Sequence, residues 1–414
     1  MLNDSPAADS PLDLEADEFG LFMGSMADYP RLGFSMKAVR KTGDRLAGDI
    51  AFTGNLTDAQ YSEIIETFTI ANSFRDSHIL PMRSVFYSVR HKLRAHGIKG
   101  DMAARPKRMP SIRRKLRDSS VKFDQMNDLA GCRAILHDIK GVRTLISAIE
   151  EKFPHSIRRQ YPYIDNPKPD GYRSHHMVFN FQPSGEDQEA FEGRRVELQI
   201  RTRLQHSWAT AVEAASLYRG EDYKHGQGNE SWLRLFELAG AEFSYVEECP
   251  IVEGMPSHDE RVKELRELNK QLRATSVLEN IKNATHFAES NRYDAGKYFL
   301  IRYRKDHTVM VEGYDSIIVA TQELGEAEFR IASGQDDDKI VLVEVGKINK
   351  LVQMYPNYFG DVSLFVSNLK EVCDGRKPVE YSMAKPQVVA PRPREPVNPG
   401  AIYRRYTKWF EKRR

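Results

Sequence analysis

Val196-Glu197-Leu198-Gln199-Ile200-Arg201 alternates strictly between apolar and polar side chains. Successive side chains of a strand point to opposite faces, so Val196, Leu198 and Ile200 share one face and Glu197, Gln199 and Arg201 the other. One face packs on a core and the other is reserved for polar work. Two further strands read from apolar stretches at residues 132–136 and 177–181. Residues 58–97 read as two amphipathic helices broken near Pro81. The expected class is therefore α/β (α+β), a mixed sheet flanked by helices.

Upstream of these strands lies Arg105-Pro-Lys107-Arg-Met-Pro-Ser111-Ile-Arg-Arg-Lys115-Leu-Arg117, with seven bases and no acid. Arg presents a planar fork to phosphate oxygens, and Lys a point charge. Ser111 reads as a helix cap, which would aim backbone N–H groups and Lys115 at an anion. Transfer of part of a triphosphate is largely a matter of such cationic positioning. Asp128, in Asp128-Leu-Ala-Gly131-Cys-Arg133, stands ahead of the first apolar strand. Together with Glu197 it supplies two carboxylates on separate strands, a donor set that suits Mg²⁺ with phosphate in its remaining positions.

Between the carboxylates lies Lys168-Pro-Asp-Gly171-Tyr172-Arg173-Ser174-His-His176. Tyr172, Ser174 and His176 alternate into the strand that follows, so a ring, a hydroxyl and an imidazole are expected on one side. Tyr172 suits stacking on a base, His176 a phosphate or ribose, and Lys168 a further phosphate. Gly171 permits an unusual turn.

These motifs, with Glu197-Leu-Gln199-Ile-Arg201-Thr202 and Gln205-His206-Ser-Trp208-Ala-Thr-Ala-Val-Glu213 after them, occur in one order. In that order they resemble the synthetase domain of the RelA/SpoT family of alarmone synthetases, over about residues 60–250. The resemblance implies a nucleotidyltransferase-like fold in which Arg105, Lys107, Ser111, Lys115 and Arg133 bind ATP. It implies that Asp128 and Glu197 hold Mg²⁺, with Glu197 also as base toward the acceptor 3′-hydroxyl. Lys168, Tyr172, Ser174, His176, Gln199 and Arg201 would hold the acceptor, Tyr172 by stacking on guanine. The implied reaction transfers the β,γ-pyrophosphate of ATP to GDP or GTP, making a (p)ppGpp-type alarmone. The 3′ end of tRNA, as in the toxin-like branch, is the alternative acceptor, and a non-catalytic RNA-binding protein is a remote one. Glu213-Ala214 departs from the Glu-His common in small alarmone synthetases, which bears on the acceptor half. Bifunctional relatives carry a hydrolase with a His-Asp pair ahead of the synthetase. Here His258-Asp259 lies after it, so the product is expected to be made and not degraded.

The chain has 414 residues, 29% charged and 40% hydrophobic, with a net charge of +2, room for two domains and no apolar run near the ~18 residues that span a bilayer. The N-terminus is acidic rather than signal-like, and the three scattered cysteines read as reduced thiols, so a cytoplasmic location is expected. Residues 1–50 are expected to be an acidic, largely disordered segment, 51–250 the synthetase-like domain, and 257–372 a separate small α/β domain of unassigned role. Within the last, a helical stripe at 261–281, strands at 298–303, 308–312 and 339–345, and helices at 315–324, 348–355 and 361–372 are expected. Residues 373–414 read as a Pro-rich linker and a basic aromatic tail, with eleven bases against three acids from 376 onward, a composition that suits RNA contact. Homo-oligomerisation is left open.

Overall fold

The computed structural model describes residues 29–48, 57–219, 223, 226–284, 286–289, 298–304, 308–336, 338–344 and 362–378. The acidic stretch 1–20, the helix expected at 348–355 and the basic tail from 379 onward lie outside them. Among the described residues no helix is long and apolar enough to cross a membrane.

Three helices come first: α1 (Met36–Ala47), α2 (Asp58–Asp76) and α3 (Ile79–Ala95). α1 falls inside the segment expected to be disordered. It is capped by Ser35, whose hydroxyl accepts from the Ala38 N–H at 3.2 Å, and it buries Val39 and Leu46 in one cluster with Phe68, Phe74 and Phe123. α2 opens on a capping box between Thr57 and Gln60. The break to α3 comes at residues 77–78, ahead of Pro81, which sits in the first turn of α3, where its missing N–H has no partner to lose.

Strand β1 (Gly100–Pro106), helix α4 (Met109–Asp118), β2 (Ala130–Leu136), α5 (Ile139–Glu151), β3 (Ser156–Pro162), β4 (His175–Asn180) and β5 (Arg195–Thr202) follow. Helices α6 (Arg203–Arg219), α7 (Glu230–Val246), α8 (His258–Leu272) and α9 (Ala274–Ala284) come next, so the expected stripe at 261–281 is two helices. Strand β6 (His286–Glu289), β7 (Tyr298–Tyr303), β8 (Thr308–Tyr314), helix α10 (Ile317–Ala332), β9 (Lys339–Glu344) and α11 (Ser363–Cys373) complete the described chain.

All nine described strands form one mixed sheet in the order β3-β4-β5-β2-β1-β9-β7-β8-β6. β2 and β5 are parallel, as are β6 and β8, and the other neighbours are antiparallel. On one face Ala104, Cys132, Leu198, Met177 and Leu342 pack with residues of α3, α5 and α10 into one core. At the β4, β5, β2 end the opposite face carries His176, Gln199, Glu197 and Arg133 instead.

The separate domain expected from residue 257 is not how the chain is built. Its strands extend the same sheet, β9 joining β1 at the Ala104–Glu344 pair. Its helices α8, α9 and α11 share a core with α6 and α7, in which Phe365 lies 5.9 Å from Phe236 and 5.8 Å from Phe243. The described residues all fall within a single compact unit. An unpaired edge at β1 would expose backbone donors and acceptors, and β9 occupies that edge.

Candidate active site

The polar face is laid out by strand register. Glu197 on β5 lies beside Gly131 on β2, which pairs with Arg105 on β1; Gln199 lies between Arg133 on β2 and His176 on β4. Neighbouring residues in register share a face, so Arg105, Glu197, Arg133, Gln199 and His176 line one surface. Gly131 leaves the floor bare between Arg105 and Glu197. A Cβ there would come no closer than 3.7 Å to the Arg105 carbonyl oxygen, so nothing in the protein's own packing requires a glycine.

At the donor end, Asp128 stands in the loop before β2, which is tied to β1 by the Lys107 N–H donating to the Leu129 carbonyl at 2.8 Å. Its carboxylate accepts from Lys107 Nζ at 2.9 Å and from Lys115 Nζ at 3.0 Å. Burial pulls the Lys107 ammonium below its usual range, partly offset by Asp128. Helix α4 starts at Met109, with Arg108 as its cap and Pro110 in the first turn, so Ser111 lies inside the helix and is not the cap the sequence suggests. Pro is favoured at that point because its fixed φ suits a first turn.

At the acceptor end the side chains form one connected network. Glu197 accepts from His176 Nδ1 at 3.1 Å and from Gln199 Nε2 at 2.9 Å. Arg201 Nη2 donates to Gln199 Oε1 at 2.6 Å and to the Tyr172 hydroxyl at 2.9 Å, and that hydroxyl lies 2.7 Å from His176 Nε2. Burial favours a neutral Glu197, but the His176 and Gln199 donors and the positive charge of Lys115 outweigh it and hold the carboxyl at about 2. Burial likewise opposes charge on His176, yet Tyr172 and Glu197 raise it above its usual value. The raised His176 and the lowered Glu197 both favour an imidazolium against a carboxylate. The Lys115 contribution to Glu197 links the two ends of the site.

Tyr172 is held from several sides. The Lys168 ammonium lies 5.3 Å and the Arg201 guanidinium 5.3 Å from its ring centre, and Trp208 meets it edge-on at 6.2 Å. Gly171 has φ +92, and a Cβ there would lie 2.8 Å from the Phe236 carbonyl oxygen. The loop thus needs glycine for its backbone conformation and for its close approach to α7. Trp208 Nε1 donates to the same Phe236 oxygen at 2.7 Å.

Ser174 departs from expectation. It is fully buried and donates to the Ile200 carbonyl at 3.2 Å, away from Tyr172 and His176. The reason is local: β4 begins at His175, so strand alternation does not extend back through residues 172–174. The Arg173 side chain is buried too, donating to Ser244 Oγ and the Lys168 carbonyl. Sequence reasoning also passed over Tyr163. Its ring centre is 4.3 Å from Lys168 Nζ and 5.3 Å from that of His176, making it a second aromatic wall. The signal available was the Tyr161-Pro-Tyr163 pair five residues ahead of Lys168.

Residues 104–223 match the family model described as "Region found in RelA / SpoT proteins". Among curated proteins, a GTP pyrophosphokinase of Photobacterium angustum is 26% identical over 182 residues, 44% of this chain and 22% of that protein. One of Escherichia coli is 30% identical over 152 residues, 35% of this chain and 19% of its own length. The chain thus spans about a fifth of the length of these relatives. Among solved structures, the small alarmone synthetase 1 of Bacillus subtilis bound to its product pppGpp is 22% identical, with a TM-score of 0.34, covering 46% of this chain and 94% of that one. The side chains of the donor cluster and of the acceptor network all lie between residues 104 and 223, the segment that matches this family model.

Proposed function

We propose that the protein is a pyrophosphokinase that transfers the β,γ-pyrophosphate of ATP to the 3′-hydroxyl of GDP or GTP. The observation that carries this reading is the meeting, on one sheet face, of the Lys107–Asp128–Lys115 cluster and the Glu197–His176–Tyr172–Arg201 network. The names of the curated relatives point the same way. In the reaction the acceptor 3′-oxygen forms a bond to the β-phosphorus, the bond from that phosphorus to the α,β-bridging oxygen breaks, and AMP leaves. The 3′-hydroxyl proton passes to a base.

Arg105, Lys107, Lys115 and Arg133 suit the triphosphate, since cations fixed before reaction stabilise charge on the transferring group without reorganising. Lys107 and Lys115 would exchange a carboxylate oxygen for a phosphate oxygen, leaving Asp128 available. Tyr172 and Tyr163 suit the acceptor base, and Lys168, Arg201 and His176 its phosphates and ribose.

The donor chemistry fits Mg²⁺. Among the described residues no three His, Cys, Asp or Glu side chains gather into a metal cluster. Mg²⁺ uses one or two carboxylates together with water and phosphate oxygens. Asp128 and Glu197 would hold it, with side chains 17% and 15% exposed, and it would supply charge neutralisation on the phosphates. A Glu197 carboxyl held at about 2 is well suited to a cation and poorly suited to accepting a proton near neutrality. We therefore assign Glu197 to metal and His176 binding rather than to base catalysis.

The test is incubation with γ-labelled ATP and Mg²⁺, once with GDP and once with bulk tRNA. Label recovered in a guanosine nucleotide supports the reading. Label in tRNA overturns the choice of acceptor, and no transfer to either overturns the reaction.

A further inference from the structure

The donor helix α4 is fastened at its first residue by a side chain from outside the RelA/SpoT domain. A helix leaves its first N–H groups without internal partners, and the α4 cap residue, Arg108, makes no side-chain capping bond. Instead Glu328, on α10, takes the Met109 N–H through Oε1 at 2.7 Å. Its other oxygen accepts from Arg75 Nη1 on α2 at 2.5 Å. Arg75 and Glu328 are almost wholly buried, their side chains 0% and 1% exposed. Arg75 is also held by Asp76 at 3.4 Å. Around this bridge α10 lies hard against α2. Phe329 meets Phe68 edge-on at 6.2 Å, and a Cβ on Gly325 would be 3.3 Å from Asn72 Nδ2.

We propose that Glu328 is a positioning residue for the ATP half of the site. It fixes the start of α4 between α2 and α10 so that Lys115, two turns further on, meets Asp128. Lys115 lies about 9 Å along the helix axis from Met109, so a small tilt at the fastened end displaces its ammonium relative to the sheet. The carboxylate also complements the positive end of the helix. The acceptor network hangs on β4, β5 and the 168–174 loop, none of which touches this bridge in the contacts described above. The C-terminal strands and helices thus serve the site by contact, through a residue that motif reading of the synthetase segment does not include. This proposal rests on the assignment of Lys107, Lys115 and Asp128 to ATP.

The experiment compares the full chain with Glu328→Ala and Glu328→Gln, reading Kd for ATP with Mg²⁺ by calorimetry and the two KM values by turnover. The alanine variant is expected to weaken ATP binding about tenfold, the equivalent of one good interaction, with the acceptor KM within twofold of the parent. The glutamine variant still offers an oxygen to the Met109 N–H and should recover most of that loss. If the alanine variant does not fold, the glutamine variant carries the comparison, with an ATP Kd two- to fourfold weaker than the parent. A folded variant set with unchanged ATP Kd, or with both KM values raised alike, overturns the proposal. A parent that binds ATP but transfers nothing overturns the reaction and leaves Glu328 to be judged by the Kd ratio. A parent that does not bind ATP overturns both.

Discussion

Glu197→Gln is nearly isosteric and leaves the apolar face of β5 untouched, because Val196, Leu198 and Ile200 point the other way. The carboxylate accepts from two donors, His176 at 3.1 Å and Gln199 at 2.9 Å. An amide has one acceptor oxygen, so its NH2 must face one of them. Losing a hydrogen bond to a charged group costs about 1.5–3 kcal/mol, and His176 loses one of the two groups that raise it above its usual value. Losing a carboxylate ligand to the metal removes several kcal/mol of charge stabilisation in addition. Together the barrier rises by roughly 4 kcal/mol, on the order of a thousandfold in kcat. Steady-state transfer from labelled ATP to GDP reads kcat, and thermal unfolding checks the fold, with Tm expected within about 4 °C of the parent. A folded Glu197→Gln protein with kcat within tenfold of the parent would refute this assignment.

Tyr172→Phe keeps the ring but removes the hydroxyl that takes Arg201 Nη2 and faces His176; acceptor KM should rise by about 1.5–3 kcal/mol, or tenfold and more, and an unchanged KM would show that the ring alone matters. The two site glycines should separate: Gly171→Ala forces a left-handed backbone and a 2.8 Å contact, lowering stability by roughly 1–3 kcal/mol. Gly131→Ala should leave Tm unchanged while lowering turnover, since only a ligand needs that bare floor; equal Tm losses would contradict the distinction. The His176–Glu197 pair gives a pH dependence. Glu197, depressed from 4.5 to about 2, contributes stability above pH 4.5 that is lost as pH falls through about 2. His176, raised above 6.5, contributes stability below pH 6.5 that is lost as pH rises through its raised value. The stability difference between the parent and His176→Asn, from urea unfolding, should be flat between about pH 4.5 and 6.5 and shrink above pH 7. A difference that grows above pH 7 would contradict the ion pair.

Much of the site was legible because strand alternation is a local property. Glu197, Gln199 and Arg201 fall on one face of β5 as their spacing demands. The same rule misplaced Ser174, where the alternation had not yet begun and the buried Arg173 side chain turns the loop inward. Ser111 misled in a similar way, because the helix, with Pro110 inside its first turn, is capped at Arg108, three residues earlier. Long-range features left no local trace. Glu328 meets Met109 across 219 residues of sequence and Arg75 across 253, so no window of sequence contains that bridge. The boundary expected between residues 250 and 257 has no counterpart in the packing, because strand pairing and helix contacts carry the core past it.

³¹P NMR of an equimolar ATP and GDP mixture with Mg²⁺ reads directly which bond of ATP is broken. AMP and a guanosine nucleotide bearing a new 3′-diphosphate are expected, in equal amounts, as ATP and GDP disappear. ADP with orthophosphate, or AMP with free pyrophosphate and unchanged GDP, would contradict the proposed transfer.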